Sequence, residues 1–174
     1  MKEIKLTKGQ IAFVDDEYFE YLNQWKWFAV KSRDTYYANR RIKDSDGNIK
    51  AAIMHRIIMC AKNDTQVDHR DSNGLNNQKS NLRLCSNGQN QMNRGGWRKS
   101  KYKGVTIKNS YYKDRHYIYI RARINVGNKQ FHLGNFKTEP EAAEAYNEAA
   151  LKYHGDFARL NVITKEKAVE NNRP

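Results

Sequence analysis

Hydrophobic and polar positions alternate most cleanly in the second half of the chain. Residues 117–125 read Tyr-Ile-Tyr-Ile-Arg-Ala-Arg-Ile-Asn, a period of two. Ile118, Ile120, Ala122 and Ile124 share one face; Tyr117, Tyr119, Arg121 and Arg123 share the other. Shorter apolar stretches flank this strand at 104–108 and 129–133, and Gly127-Asn128 supplies the second turn, which predicts a small sheet. From Thr138 to His154 the period changes to that of a helix, with Ala142, Ala145, Tyr146, Ala149 and Tyr153 on one side. Thr138 is placed to cap it, Glu141 to close a capping box and Gly155 to end it. The alanines let this helix lie close over the sheet, with its acidic side turned outward.

The first half has shorter signals. Ile11–Val14 and Thr35–Ala38 read as strands, Asp46-Gly47-Asn48 as a hairpin turn and 52–60 as a short helix. Trp25 and Trp27 alternate with Gln24 and Lys26 and are expected to anchor an N-terminal sheet. In 66–94, apolar Val67 precedes Asp68-His69 as at the end of a strand, Asp71 to Asn77 is turn chemistry, and 81–84 is a second short strand. Ser86 or Asn87 then caps a helix carrying Asn90 and Asn93. The order strand, loop, strand, helix brings Asp68, His69 and Asn90 together. Gly95-Gly96 and their charged neighbours read as a linker, residues 95–100. The class is α+β: a strand-rich N-terminal region, then a sheet packed on one helix.

Charge narrows the partners. The chain of 174 residues carries a formal +13, a balance that points to a polyanion. The excess is local: 101–125 holds seven basic residues and one acid, whereas 126–162 holds four and five. No apolar run approaches the ~20 residues of a spanning helix, and the start lacks the apolar stretch of a signal peptide, so the expected place is the cytoplasm, not the secreted fraction. Cys60 and Cys85 form no CxxC pair, which excludes a disulfide framework or a four-cysteine zinc site; both thiols are expected to be buried. His116, His132 and His154 are scattered and read as sheet or surface residues.

Cleaving a phosphodiester needs a base for water, a cation against the phosphate charge and help for the leaving oxygen. Histidine can be that base near neutral pH, and Asp and Asn oxygens suit a hard ion such as Mg²⁺. An Asp-His pair at a turn is also a common structural feature, and asparagine-rich loops form turns; both readings stand on these residues alone.

The stretch from about 52 to 94 resembles the HNH endonucleases of the phage and intron homing type, through Met54-His55-Arg56, Asp68-His69, Leu75-Asn76-Asn77 and Asn81-Leu82-Arg83. The resemblance implies a ββα-metal core at about 66–94 within a nuclease domain of residues 1–94. It makes His69 the general base, Asn81 the brace of the loop, and Asp68 and Asn90 ligands of one divalent ion, Mg²⁺ or Mn²⁺. No structural zinc is expected, and His55 is read as scaffold. The implied reaction is hydrolysis of double-stranded DNA to 5′-phosphate and 3′-hydroxyl ends by a phage- or bacterium-encoded enzyme, monomeric or weakly dimeric.

A second resemblance covers 101–162. Tyr102-Lys103-Gly104-Val105, Arg121-Ala122-Arg123-Ile124, Leu133-Gly134-Asn135-Phe136, Glu141-Ala142-Ala143 and Ala158-Arg159-Leu160-Asn161 are similar to the Apetala-two/ethylene-response-factor DNA-binding domain. It implies a three-stranded antiparallel sheet in the major groove with a helix behind it. Arg121, Arg123, Tyr117 and Tyr119 would meet DNA, with Lys103, Lys108, Arg94 and Arg98 adding charge; 163–174 is a tail. The first strand offers Thr106 and Lys108 where plant members are arginine-rich, so their sequence preference does not carry over. The alternative is a non-catalytic DNA-binding regulator that keeps an HNH scaffold.

Overall fold

The computed structural model describes residues 1–32, 34–93, 100–113 and 115–163. Arg94, Arg98, most of the expected linker and residues 164–174 of the tail lie outside the described residues. The protein is α+β, with small antiparallel sheets and four α-helices among the described residues. The chain divides into two compact units, Met1–Asn93 and Arg94–Pro174.

In the first unit, β1 (Lys2–Lys5) and β2 (Ile11–Val14) pair antiparallel and α1 (Asp16–Asn23) follows. A three-stranded sheet comes next, from β3 (Phe28–Ser32), β4 (Thr35–Lys43) and β5 (Ile49–Ile53), in the order in which the chain makes it. Gly47, at φ +80°, makes the turn between β4 and β5, where Asp44 Oδ1 accepts from the Asp46 and Asn48 N–H groups. The expected helix over 52–60 is shorter. Ala52 and Ile53 belong to β5, and α2 is only Met54–Ile58. It is ended by Cys60, whose φ of +46° turns the backbone so that Ala61 N–H bonds the Arg56 carbonyl at 2.9 Å, while the Arg56 guanidinium donates to the carbonyls of Ala61, Lys62 and Thr65 and organises the loop that follows.

Then come β6 (Gln66–His69), β7 (Leu82–Cys85) and α3 (Asn87–Asn93). The strands pair antiparallel, His69 opposite Leu82. Ser86 and Gln89 close a capping box at the start of α3: Ser86 Oγ accepts from Gln89 N–H at 3.2 Å, and Gln89 Oε1 accepts from Ser86 N–H at 2.9 Å. The core joins Ile4, Val14, Leu22, Trp27, Met54, Val67 and Leu82, among others. Trp27 is buried and donates to the Leu22 carbonyl; Trp25 is half-buried, with the Arg40 guanidinium 3.8 Å over its ring. The thiols differ: Cys85 is buried, but Cys60 is exposed, because it follows α2 at φ +46° in a surface turn.

In the second unit β8 (Val105–Tyr112), β9 (Arg115–Val126) and β10 (Lys129–Phe136) form an antiparallel sheet with β9 in the middle. Helix α4 (Glu139–His154) begins as its sequence predicts, Thr138 Oγ1 accepting from Glu141 N–H. The Glu141 carboxylate reaches Lys137 N–H, one residue before the cap. Tyr102, Val105, Ala122, Ala142 and Ala143 share one apolar cluster, and Ile124, Tyr146, Ala149 and Ala150 another. Two expected core positions are exposed. Tyr153 lies outside the buried stripe, which runs through Ala143, Tyr146, Ala150 and His154, and stacks instead on Phe131. Ile118 is 60 % exposed, because β10 pairs with β9 only as far as Ile120 and the β8–β9 hairpin runs on past it. Gly104 holds φ +78° where a Cβ would stand 2.0 Å from Tyr146 Cδ2, so the backbone here touches the ring of α4. Asn161 ties the ends of the unit: its side chain bonds Lys103 N–H and C=O, while Asn147 bonds its backbone.

Candidate functional site

Nine polar or charged residues are buried among those described, and seven of them gather around β6, β7 and α3 in the first unit: His55, Asp68, His69, Asn77, Asn81, Arg83 and Asn93. Burying so many polar groups in one place is unfavourable unless each finds a partner. The partners define the site.

Asp68 and Arg83 face one another across the β6–β7 pair. Arg83 donates to Asp68 Oδ2 from Nε at 2.7 Å and from Nη2 at 2.5 Å. Asn93 Nδ2 bonds both Asp68 oxygens, at 3.0 and 3.1 Å, and the His69 carbonyl at 2.8 Å. The residue of α3 that meets Asp68 is therefore Asn93. Asn90, the residue expected there, is half-buried one turn earlier, and its backbone N–H bonds the Ser86 carbonyl.

His69 Nε2 lies 3.4 Å from Asn77 Oδ1. The amide of Asn77 is oriented by its own Nδ2, which donates to the Leu75 carbonyl at 3.1 Å. Its oxygen thus faces the imidazole, which makes Nε2 the protonated nitrogen and Nδ1 the basic one. Burial holds the His69 pKa below the ordinary imidazole value, against the opposing pull of Asn77, Asp71 and Asp68. His69 is therefore neutral near pH 7, the form able to accept a proton.

Asn81 spans the loop between β6 and β7. Its Oδ1 accepts from Asp71 N–H, and its Nδ2 donates to Asp71 Oδ1 and the Asn76 carbonyl. The loop is also pinned to β2, by Phe13 N–H to Leu75 C=O and Asn77 N–H to Phe13 C=O, both 2.8 Å. From the sequence alone Arg83, Asn77 and Asn93 carry no site role of their own, although Asn77 and Arg83 stand in the runs that carry the resemblance and Asn93 on the same helix as Asn90.

The second unit presents a different surface. Arg121 sits between Thr106 of β8 and Asn135 of β10, and Arg123 opposite His132. Arg121, Arg123, Gln130, His132 and Asn135 line one cleft. Arg123 donates to Gln130 Oε1 at 3.0 Å, and Gln130 in turn to Asn125 Oδ1 at 3.1 Å. Arg121 Nε is buried without a hydrogen-bond partner. Tyr117 and Tyr119 stack 6.4 Å apart and are each 37 % exposed. Lys108 is exposed opposite Tyr119. Lys103 is half-buried, and burial, with Arg159 nearby, lowers its pKa to about 8.

Among the described residues no helix is long and apolar enough to cross a membrane, and no group of three His, Cys, Asp or Glu side chains is arranged to hold a metal ion.

No profile of a known protein family matches the chain, and no solved structure does. Over 69 residues, 37 % of its length, it is 46 % identical to the AP2-like ethylene-responsive transcription factor PLT2 of Arabidopsis thaliana. It is 41 % identical over a stretch of the same size to the AP2-like ethylene-responsive transcription factor CRL5 of Oryza sativa. It spans about a tenth of either plant protein, 10 % and 9 %. An uncharacterized HNH endonuclease of Acanthamoeba polyphaga mimivirus is 31 % identical over 163 residues, which cover 90 % of this chain and 77 % of that protein. That alignment takes in nearly the whole length, the buried polar cluster included, and on it the chain belongs to the HNH endonuclease family.

Proposed function

We propose that the protein is a metal-dependent DNA endonuclease of the homing type, with His69 as general base and the sheet of the second unit as its DNA reader. The observation that carries this is the buried cluster of Asp68, His69, Asn81 and Asn93 in a chain of the HNH family. A neutral imidazole, tautomerically set by Asn77, at the end of a strand whose next loop is braced by Asn81, has the features a base for water requires. His69 Nδ1 takes the water proton; Asn77 holds the other nitrogen; Asn81 keeps the loop in register.

The residues fit a hard divalent ion. Asp68 Oδ1 accepts from Asn93 and keeps acceptor capacity, whereas Oδ2 is taken up by Arg83. Mg²⁺ commonly takes one or two carboxylates and completes its shell with water and substrate phosphate, so Asp68, with Asn90, would hold it. When bound, it would offset charge on the scissile phosphate and the leaving oxygen.

In the reader, Arg121 and Arg123 meet base edges or phosphates, and Tyr117 and Tyr119 pack on the sugar-phosphate chain. Lys103, Lys108, Arg94 and Arg98 add sequence-independent attraction. The second reading, a DNA-binding regulator on a nuclease scaffold, draws on the Arg83–Asp68 pair, which already neutralises the carboxylate. Plasmid nicking with Mg²⁺, with EDTA as control, separates the two. His69→Ala should lower the rate by about 10²–10⁴-fold and leave DNA binding nearly unchanged. Nicking by that variant at the parent rate would end the mechanism. Arg121→Ala/Arg123→Ala should cut affinity yet leave Mg²⁺-dependent nicking at high enzyme.

A further inference from the structure

A second buried imidazole lies against His69, and the reaction proposed above gives it no part. His55 is the second residue of α2 and is 8 % exposed. Its ring meets that of His69 edge to face, centroids 4.9 Å apart and planes at 90°. Tyr37 of β4 closes a triangle, 5.5 Å from His55 and 5.8 Å from His69. Tyr37 is itself confined. A Cβ on Gly74, in the loop after His69, would stand 2.6 Å from Tyr37 Cε1, and Gly74 N–H donates to Thr35 Oγ1 at 2.9 Å. Strand β4, helix α2 and the loop thus converge on one imidazole.

That imidazole needs such confinement. The ring torsion of histidine is broad, and the bond from Nε2 to Asn77 is long at 3.4 Å. Edge-to-face packing restricts rotation without using a hydrogen bond. His55 is unsuited to proton transfer: burial, with the nearby His69 and Arg56, holds its pKa down to about 3. Its Nδ1 is buried with no hydrogen-bond partner. What the residue offers His69 is a planar ring at right angles to its own.

We propose that His55, backed by Tyr37, is a positioning residue that fixes the His69 ring in the orientation needed to activate water. The inference rests on the nuclease reading of His69. Its test combines steady-state nicking of plasmid DNA with Mg²⁺ and ¹⁵N spectra of the His69 ring in the full chain without DNA. His55→Ala should lower kcat by about 10- to 100-fold through misorientation of the base and change KM by less than about twofold. His55→Phe restores a planar ring and should return kcat to within about threefold of the parent. In a His69→Ala background, His55→Ala should have no further effect, because the two act as one unit. The His69 ring should show one tautomer in the parent and in His55→Phe, and a mixture in His55→Ala. If His55→Ala does not fold, His55→Leu, which fills the space without a planar ring, carries the same expectations. A parent-like kcat in either truncated variant, or an additive loss in the His69→Ala background, would overturn the proposal. Absence of Mg²⁺-dependent nicking by the parent would remove the nuclease reading, and the tautomer spectra would still decide whether His55 fixes the ring.

Discussion

Arg83→Met is the sharpest test of how the site is held together. Arg83 makes two bonds to Asp68 Oδ2, and the side chains are 9 % and 6 % exposed. Methionine keeps much of the volume and removes the guanidinium, leaving a buried carboxylate with only the Asn93 amide. Breaking such a pair from one side costs about 3–5 kcal/mol, whereas replacing both partners is often near neutral. With ordinary domain stability at about 5–15 kcal/mol and a urea slope of about 1–3 kcal/mol per molar, the unfolding midpoint of the first unit should fall by roughly 1 M or more. Asp68→Asn/Arg83→Met should recover most of this loss, because the amide introduced in place of the carboxylate is uncharged and still offers an oxygen to Asn93. Urea unfolding followed by tryptophan fluorescence reads both. A loss below about 1 kcal/mol in Arg83→Met, or a double variant no more stable than the single, would refute the view that this ion pair neutralises a buried charge.

Three further outcomes follow from the same structure. His55 has a folded pKa of about 3 against an unfolded value near 6.5, so the unfolded chain binds the extra proton between those values. Stability should be full above about pH 6.5 and fall by about 1.4 kcal/mol per pH unit below it; His55→Phe should flatten that slope in acid-unfolding curves. Gly104→Ala would drive a Cβ into Tyr146 at positive φ and should cost more than ~2 kcal/mol. Gly47→Ala, at similar φ in open space, should cost only about 1 kcal/mol; thermal melts of the two compare them directly. Gly74→Ala should push Tyr37 off the loop, costing about 1–3 kcal/mol in the same melts.

The strands of the second unit were legible because period two survives wherever one face is covered, as at Ala122 and Ile124, which are buried on either side of half-buried Arg123. It misled at Ile118, where the pattern continues but the covering strand does not. The helix α4 was legible at its ends, where capping chemistry is local, and less so along its face: 3.6 residues per turn lets Tyr153 or His154 close the stripe, and only the packed structure chooses His154. In the first unit, the apolar run over 52–60 does not distinguish strand from helix, and the positive-φ turn that ends α2 falls on Cys60, with no glycine to announce it. Arg83 was hidden because an arginine alternating with leucines reads as a solvated face; its partner across the strand pair makes it a buried one.

The choice between Asn90 and Asn93 shows most directly what the sequence leaves open at the site. Both lie on α3, three residues apart, on adjacent turns of one face. The resemblance to the HNH endonucleases implies Asn90; packing favours Asn93, whose amide bonds two acceptors, the Asp68 carboxylate and the His69 carbonyl. The roles separate by experiment. Asn93→Ala removes the amide from Asp68 Oδ1 and from the His69 carbonyl in a buried place, while Arg83 keeps Asp68 Oδ2, and should cost about 1–3 kcal/mol, with or without Mg²⁺. Asn90→Ala removes a half-buried side chain and should shift stability by less than about 0.5 kcal/mol without the ion. If Asn90 is a ligand, the parent gains thermal stability on adding Mg²⁺ and Asn90→Ala gains less, since an ion that binds only the folded state stabilises by mass action. Equal Mg²⁺-induced shifts in Asn90→Ala and the parent would remove Asn90 from the ligand set.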